Sequence, residues 1–471
     1  MQERQCKFCM NKYRFAIRMI RFTPNTNLYL RQMKKIYGFL TILMLLIQNN
    51  ISAQKSNFSD LIISKSNQIE KKVIAWRRDF HQNPELGNRE VRTADIVAKH
   101  LQSLGFEVRT RVAYTGVVAV LKGGKPGPVI ALRADMDALP VEEVSTLPFA
   151  SKVKVDYNGK MTSIMHACGH DAHTAILMGV AEVLASMKND ICGTVKFIFQ
   201  PAEEGAPEGE EAGAALMIKE GALENPKVDI VFGLHLDAQL EANKLSYCPG
   251  GTFAGVSNFK ITVKGKSGHG SQPWLSIDPI LTSAQIIASL QQIVSRNVQL
   301  IQNPAVLTVG MISGGNRTNV IPAEVEFAGD IRTFSPGDEK LFYKRIVQIA
   351  EKTAEAAGAT AVVQIPYIDR YPVTFNNLAL TKAMLPSLEK SASKENVVLV
   401  RPATLAEDFS FFAEKVPGLY FRLGALPKGK DSATSGSHHT ADFFIDEASF
   451  KTGVIAFCNL VFDYPNTIVT K

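Results

Sequence analysis

Val195-Lys196-Phe197-Ile198-Phe199-Gln200-Pro201-Ala202-Glu203-Glu204 is a short apolar run that stops at Gln-Pro-Ala and two adjacent carboxylates. A run this short, rich in aromatic and β-branched residues, reads as a strand buried on both faces, the kind found in parallel sheets covered by helices. Similar runs stand at Val117 to Leu121, Val129 to Leu132 and Ile230 to Leu234. Around them, Leu61 to Phe80, Val91 to Leu104 and His173 to Met187 carry helical periodicity. Alternation of that kind predicts an α/β layer with a mostly parallel sheet.

The pattern changes near Ala254. Phe259 to Val263 alternates as a half-exposed strand, and a helix follows from Ile277. Strands are expected at Ala305 to Gly310 and Glu324 to Ile331, then a helix from Ser335-Pro336 to near Gly358, then a strand at Thr360 to Ile365. The order β-α-β-β-α-β is the ferredoxin-like arrangement. From Pro372 the α/β pattern resumes, with strands at Val397 to Val400 and Leu419 to Arg422 and a helix at Glu447 to Val461. The simplest organisation is a discontinuous α/β domain, residues 58–253 and 367–471, with an α+β domain inserted at 254–366.

The N-terminus stands apart. Lys34 and Lys35 precede an apolar run from Ile36 to Ile47 and a small-residue exit at Ser52-Ala53. That is the pattern of a secretory signal peptide over 33–53, and the run is too short to span a bilayer, which takes roughly 20 residues. Residues 1–32 are basic without apolar order, and we expect them to be an extension upstream of a start at Met33. Residues 1–53 carry nine Lys/Arg and one Glu, a net +8, whereas the whole chain is +7. The remainder is therefore close to neutral, at −1, and gives no electrostatic footprint for nucleic acid. Four Cys lie beyond the signal, Cys168, Cys192, Cys248 and Cys458. Four in over 400 residues is no disulfide framework, even in an exported chain.

The chemistry-bearing residues cluster at strand ends, where open α/β sheets bind ligands. Met165-His-Ala-Cys168-Gly-His170-Asp-Ala-His173 places soft and borderline metal donors around a loop glycine. Alone, this cluster leaves a ligand set and a buried thiol beside a helix N-cap both open. Glu203 and Glu204 point in different directions, so one can bind a metal while the other works as a base. His235 follows another apolar strand, and His438-His439 sit in a polar loop before the last helix. Arg133-Ala-Asp135-Met-Asp137-Ala-Leu-Pro140 puts two further acids at a strand exit. Together these suit a two-metal hydrolytic site.

The segments R-A-D-M-D-A-L-P, H-A-C-G-H-D-A-H and Q-P-A-E-E-G, with Arg77-Arg-Asp-Phe-His-Gln-Asn-Pro-Glu-Leu-Gly87 ahead of them, closely resemble the aminoacylase/carboxypeptidase family of dinuclear metallopeptidases. The nearest branch is that of hippurate hydrolase and the indole-acetyl-amino-acid hydrolases. The resemblance implies Cys168 as a bridging metal ligand, with His170, Glu204, His235 and His439 completing two divalent metal sites. It implies Glu203 as general base and Asp135 and Asp137 as groups that orient ligands. In the inserted domain it implies His269 as an oxyanion stabiliser and Asn319 and Arg332 as binders of the substrate carboxylate. It also implies that this domain is a lid and makes a homodimer. Zinc suits a thiolate with imidazoles, while manganese, cobalt or nickel could serve. Trp274 departs from the pattern, since many relatives carry His there.

The activity expected is metal-dependent hydrolysis of N-acyl amino acids by an exported enzyme, with no nucleic acid partner and no stable membrane association after signal removal. An exported carboxypeptidase or dipeptidase acting on short peptides shares the metal chemistry. A catalytically inactive metal- or ligand-binding protein would have lost the base or a ligand, yet every one of these residues is present.

Overall fold

The strand that ends in Gln200, just ahead of the two carboxylates, lies inside an eight-stranded sheet. In the computed structural model residues 58–367 and 370–468 are described, so the basic stretch 1–32 and the signal-like 33–53 lie outside the described residues. The chain divides into two units, Met1–Leu61 and Ile62–Lys471, and the sheets and helices below all belong to the second.

Helical residues run from 58 to 82, and the part that belongs to the second unit, 62–82, is α1. It is followed by α2 (Val91–Ser103), β1 (Glu107–Val112), β2 (Gly116–Lys122), β3 (Lys125–Asp135), a hairpin of β4 (Lys154–Tyr157) and β5 (Lys160–Ser163), and α3 (His170–Ser186). Next come β6 (Cys192–Gln200), α4 (Gly213–Lys219), β7 (Ile230–Glu241), β8 (Leu245–Tyr247) and β9 (Gly250–Phe253). A second group runs β10 (Gly255–Lys264), β11 (Gly268–His269), α5 (Pro279–Gln292), β12 (Ala305–Ser313), β13 (Val320–Ile321), β14 (Glu324–Thr333), α6 (Pro336–Ala356), β15 (Thr360–Gln364) and β16 (Arg370–Tyr371). The chain then returns through β17 (Thr374–Asn376), α7 (Leu378–Ala392), β18 (Val397–Leu399), α8 (Phe409–Lys415), β19 (Gly418–Leu426) and α9 (Phe450–Ile468).

The large sheet has the order β1-β2-β6-β3-β7-β19-β8-β18. Its centre, β6-β3-β7-β19, is parallel throughout, while β1, β2 and β8 add antiparallel neighbours. The central strands are buried almost along their length, Val195, Phe197, Ile198 and Phe199 completely. That burial on both faces explains why they read as continuous apolar runs rather than alternating ones. Helix α3 is buried all round from His170 to Val180, as expected of a helix without a polar face. It begins at His170, three residues earlier than its periodicity predicts. The run H-D-A-H is therefore a helical first turn, entered through Gly169 at φ +102°, a backbone geometry that side chains resist.

The second sheet is antiparallel, in the order β12-β14-β10-β15 with β16 beside β10. It has its own core, in which Phe259, Ile261 and Phe327 from the strands meet Leu290, Phe342 and Ile346 from α5 and α6. Both helices are N-capped as their sequences suggest. Asp278 accepts from the Ile280 and Leu281 amides, and Ser335 from that of Gly337, each with Pro at the first helical position. Among the described residues no helix is long and apolar enough to cross a membrane.

Candidate metal centre

The segment Arg77 to Gly87 serves as a frame for the chemistry-bearing loops. Glu85 accepts hydrogen bonds from the Arg92 and Thr93 amides at 2.9 and 2.8 Å, supplying the open N-terminus of α2 with an anionic acceptor. Gly87 lets the loop after β6 approach, since a Cβ there would sit 2.2 Å from the Gly205 carbonyl oxygen. Arg77, fully buried, donates to Asp171 at 2.9 Å, and His81 Nδ1 lies 2.7 Å from the same carboxylate. Asp171 is thereby fixed in the first turn of α3, next to His170.

Five donors converge where α3 begins, past the end of β6, in the 437–440 loop, and at His235, which lies midway along β7 rather than at a strand end as expected, because β7 runs on to Glu241. Cys168 Sγ lies 3.4 Å from His235 Nε2 and 3.3 Å from His439 Nε2. His439 Nε2 is 2.9 Å from Glu204 Oε1. The ligand atoms of Cys168, His170 and His235 lie within 4.8 Å of one another, as do those of Cys168, Glu204 and His439. The two triads share the thiol. Glu203 Oε2 stands 3.9 Å from His170 Nε2. His439 has φ +65°, a left-handed backbone that residues with a side chain seldom adopt, and its amide donates to the Ala167 carbonyl at 2.8 Å. Strain of this kind persists where the surroundings impose it, commonly at functional sites.

The imidazoles are set as ligands. His170 Nδ1 lies 2.9 Å from the Asp137 carbonyl oxygen and 3.1 Å from its carboxylate, and His235 Nδ1 lies 2.6 Å from the Leu236 carbonyl. Each Nδ1 thus carries a proton, which turns each Nε2 towards the thiol and carboxylates. His170 Nε2 is buried and has no hydrogen-bond partner. Burial, reinforced by His173 and His438, holds His235 far below the usual imidazole range and hence neutral. Although burial opposes its charge, the carboxylates of Asp135, Asp137 and Glu204 lift His170 to about 10. The field at this point favours positive charge. An orphaned Nε2, a thiol shared between two triads and an anionic field fit a pair of divalent cations.

A deeper layer positions these groups. Asp137 accepts from the Glu204 amide at 2.9 Å, linking the end of β3 to the Glu203-Glu204 turn. Asp135, expected to orient a ligand, lies 3.8 Å from His170 Nε2 and meets His173 Nδ1 at 2.6 Å, while the Leu236 amide donates to His173 Nε2 at 2.8 Å. His173 therefore pins the backbone beside His235. Replacing it with Phe should weaken cation retention about 10- to 100-fold, the usual effect of losing such a support, and chelator competition measures it.

Arg133, completely buried, donates to Gln200, Asp135 and Asp408 and pairs with Glu407. Glu407 and Asp408 were missed by sequence reasoning. Their only signal was an acidic pair, Ala406-Glu-Asp-Phe409, in a polar stretch before an undetected helix. The Asp408 amide faces Glu203 Oε1 at 3.5 Å. Burial, then Glu407, Glu204 and Asp408, push the Glu203 carboxyl well above its usual range. His438 also belongs here. Its Nε2 accepts from the Ala238 amide at 3.1 Å, and its Nδ1 lies 3.8 Å from Cys168 Sγ. His100 packs edge-on against Trp76, with ring centroids 4.7 Å apart.

A cavity of about 550 Å³ opens over these donors, lined also by Phe253, Tyr371, Leu405 and Arg422. His269, Asn319 and Arg332 do not line it. His269 ends β11 opposite Val320 of β13, and Asn319 immediately precedes β13, where the Gly270 amide donates to the Asn319 carbonyl at 2.9 Å. Arg332, on β14, donates to Asp330 at 2.7 Å.

A model of peptidase family M20/M25/M40 matches residues 131–463. Thermostable carboxypeptidase 2 of Saccharolobus solfataricus is 39% identical over 400 residues, covering 85% of this chain and 97% of that protein. N-acetyl-L-cysteine deacetylase of Bacillus subtilis is 37% identical over 383 residues, covering 81% of this chain and 85% of that protein. Among solved structures, a dinuclear metal-binding peptidase of the same family from Bacillus subtilis superposes with a TM-score of 0.68 at 32% identity, covering 85% of this chain and 99% of its own.

Proposed function

This chain belongs to peptidase family M20/M25/M40, and from that premise we propose that it hydrolyses the amide bond of N-acyl amino acids, with Glu203 carrying the proton. It is a metal-dependent amidohydrolase. In the proposal Cys168, His170 and His235 hold one cation, and Cys168, Glu204 and His439 hold the other. Such a pair supplies carbonyl polarisation and acidifies water. The observation that carries the reading is the sharing of Cys168 between the two triads, with a further carboxylate, Glu203, 3.9 Å from His170 Nε2 beside them.

Glu203 takes the proton from the attacking water as the C–O bond forms. It then delivers that proton to the leaving nitrogen as the C–N bond breaks, so the amine departs neutral. A raised pKa suits a carboxyl that must both accept and return a proton. Asp135 and Asp137 act through their hydrogen bonds. His269, as oxyanion stabiliser, and Asn319 and Arg332, as carboxylate binders, would reach the cavity by closure of the inserted domain or from a second copy. A homodimer through that domain is supported by the exposed edge strand β12, with Met311 and Ile312 71% and 58% exposed, and by Trp274 at 74%. Zinc is the cation that the thiolate–imidazole set favours, with manganese, cobalt and nickel as competitors. Export is proposed from the Lys34-Lys35 and Ile36 to Ile47 pattern.

The test is a panel of N-acyl amino acids and short peptides presented to the chain from Gln54 onward. Release of free amino acid from the N-acyl members should vanish with chelator and return with zinc or manganese. Cleavage of peptides alone would replace this reading with the carboxypeptidase one, to which the 39% identical relative lends weight.

A further inference from the structure

The cavity contains one guanidinium whose purpose the reaction above does not explain. Arg422 lies on β19 directly opposite His235 on β7 in the parallel register, so both side chains project from the same face one strand apart. Four carboxylates, those of Glu203, Glu204, Asp237 and Glu407, also line this cavity, and Arg422 is the only Lys or Arg among the described residues that do. Its Nη1 donates to Asp237 at 3.1 Å, and Asp237 in turn accepts from the Gln239 amide at 2.9 Å. Its guanidinium carbon stands 5.5 Å from the centre of the Phe253 ring, within cation–π reach. The side chain is 18% exposed, and among the described residues Nε and Nη2 have no hydrogen-bond partner.

A guanidinium presents two forks, and the one formed by Nε and Nη2 is open here. That fork matches the two oxygens of a carboxylate. Asp237 and Phe253 hold the group in place, which lowers the ordering cost of a further contact. We propose that Arg422 is a substrate-carboxylate site inside the cavity and therefore a specificity-determining residue. The assignment rests on the amidohydrolase reading. The carboxylate belongs either to the amino acid released or to an acidic end of the acyl group.

Two probe pairs separate those sources. N-benzoylglycine against N-benzoylglycinamide varies the acid on the amino-acid side. N-succinylglycinamide against N-pentanoylglycinamide varies it on the acyl side. Each is measured as a substrate or, where it is not turned over, as a competitor of N-benzoylglycine hydrolysis. In Arg422→Gln, checked for fold by circular dichroism and for cation content, the preference for acid over neutral partner should fall about tenfold or more in one pair, the effect of losing one charge-assisted bidentate contact. Arg422→Lys, which keeps charge but loses the fork, should restore that preference only in part. Preferences within about threefold of wild type in both pairs, with wild-type turnover intact, overturn the Arg422 assignment alone. A cation-loaded wild type that hydrolyses and binds none of the four overturns the amidohydrolase reading, and this assignment with it.

Discussion

Glu203→Gln should lower kcat about a hundredfold to ten-thousandfold, the range of a positioned general base, while cation content stays at the wild-type level. The substitution preserves size and removes only the ability to accept a proton. Neither Cys168-centred triad includes Glu203, so its loss removes no donor from them. The pH profile carries the sharper signature. Burial and the neighbouring acids raise the Glu203 carboxyl, and only its ionised form can take a proton from water. Wild-type kcat/KM should therefore fall as pH drops through that raised value, and the residual activity of the variant should lack this acid limb. A variant that keeps the limb, or loses activity only by losing cations, would assign the limb elsewhere and make Glu203 a structural acid.

Much of this site was legible in the sequence because metal donors are chemically specific and stand beside short apolar runs. Cys168, His170, Glu204 and His235 each follow or precede a run whose burial could be read from its composition, and the geometry places Glu204, past the end of β6, and His235, inside β7, close to the two in the H-A-C-G-H turn. The supporting layer was less legible, for a physical reason. Arg133 meets Asp408 across 275 positions, and Glu203 faces the Asp408 amide across 205. No local period encodes such contacts. His173 read as one more member of a His cluster, because its role depends on an amide at position 236.

The fold divides along the same line. The four central strands and the two long helices of the inserted domain were found, since burial imposes a period. Helices α4 and α8, seven residues each, are too short for a period to emerge, and their stability comes from tertiary packing. The longer α7 carries Pro386 in its interior, which argues against a helix on sequence grounds. The inserted domain posed the reverse problem. Its elements followed their expected order, yet His269, Asn319 and Arg332 do not line the cavity, because no local period encodes where one sheet stands relative to another.

Cys168→Ser should be the most damaging single change to cation binding, because it removes a donor from both triads at once. Wild-type protein dialysed against a weak chelator should keep about two cations per chain, as in its dinuclear relative. The serine variant should fall towards none, whereas His439→Ala, which belongs to one triad, should retain about one. Serine is nearly the same size, but its hydroxyl does not ionise near neutral pH and is a harder donor than a thiolate. Burial, with Glu204, Glu203 and Asp135 around it, holds the cation-free Cys168 well above the ordinary thiol range, so a cation must displace its proton to enter. Affinity should then rise with pH, and the wild type should release about one proton more per pair of cations than the serine variant. Direct titration of proton release against cation uptake measures that difference. Equal release, with both cations retained by the variant, would mean that Glu204 and the imidazoles hold them and that Cys168 stands beside the centre rather than between its two halves.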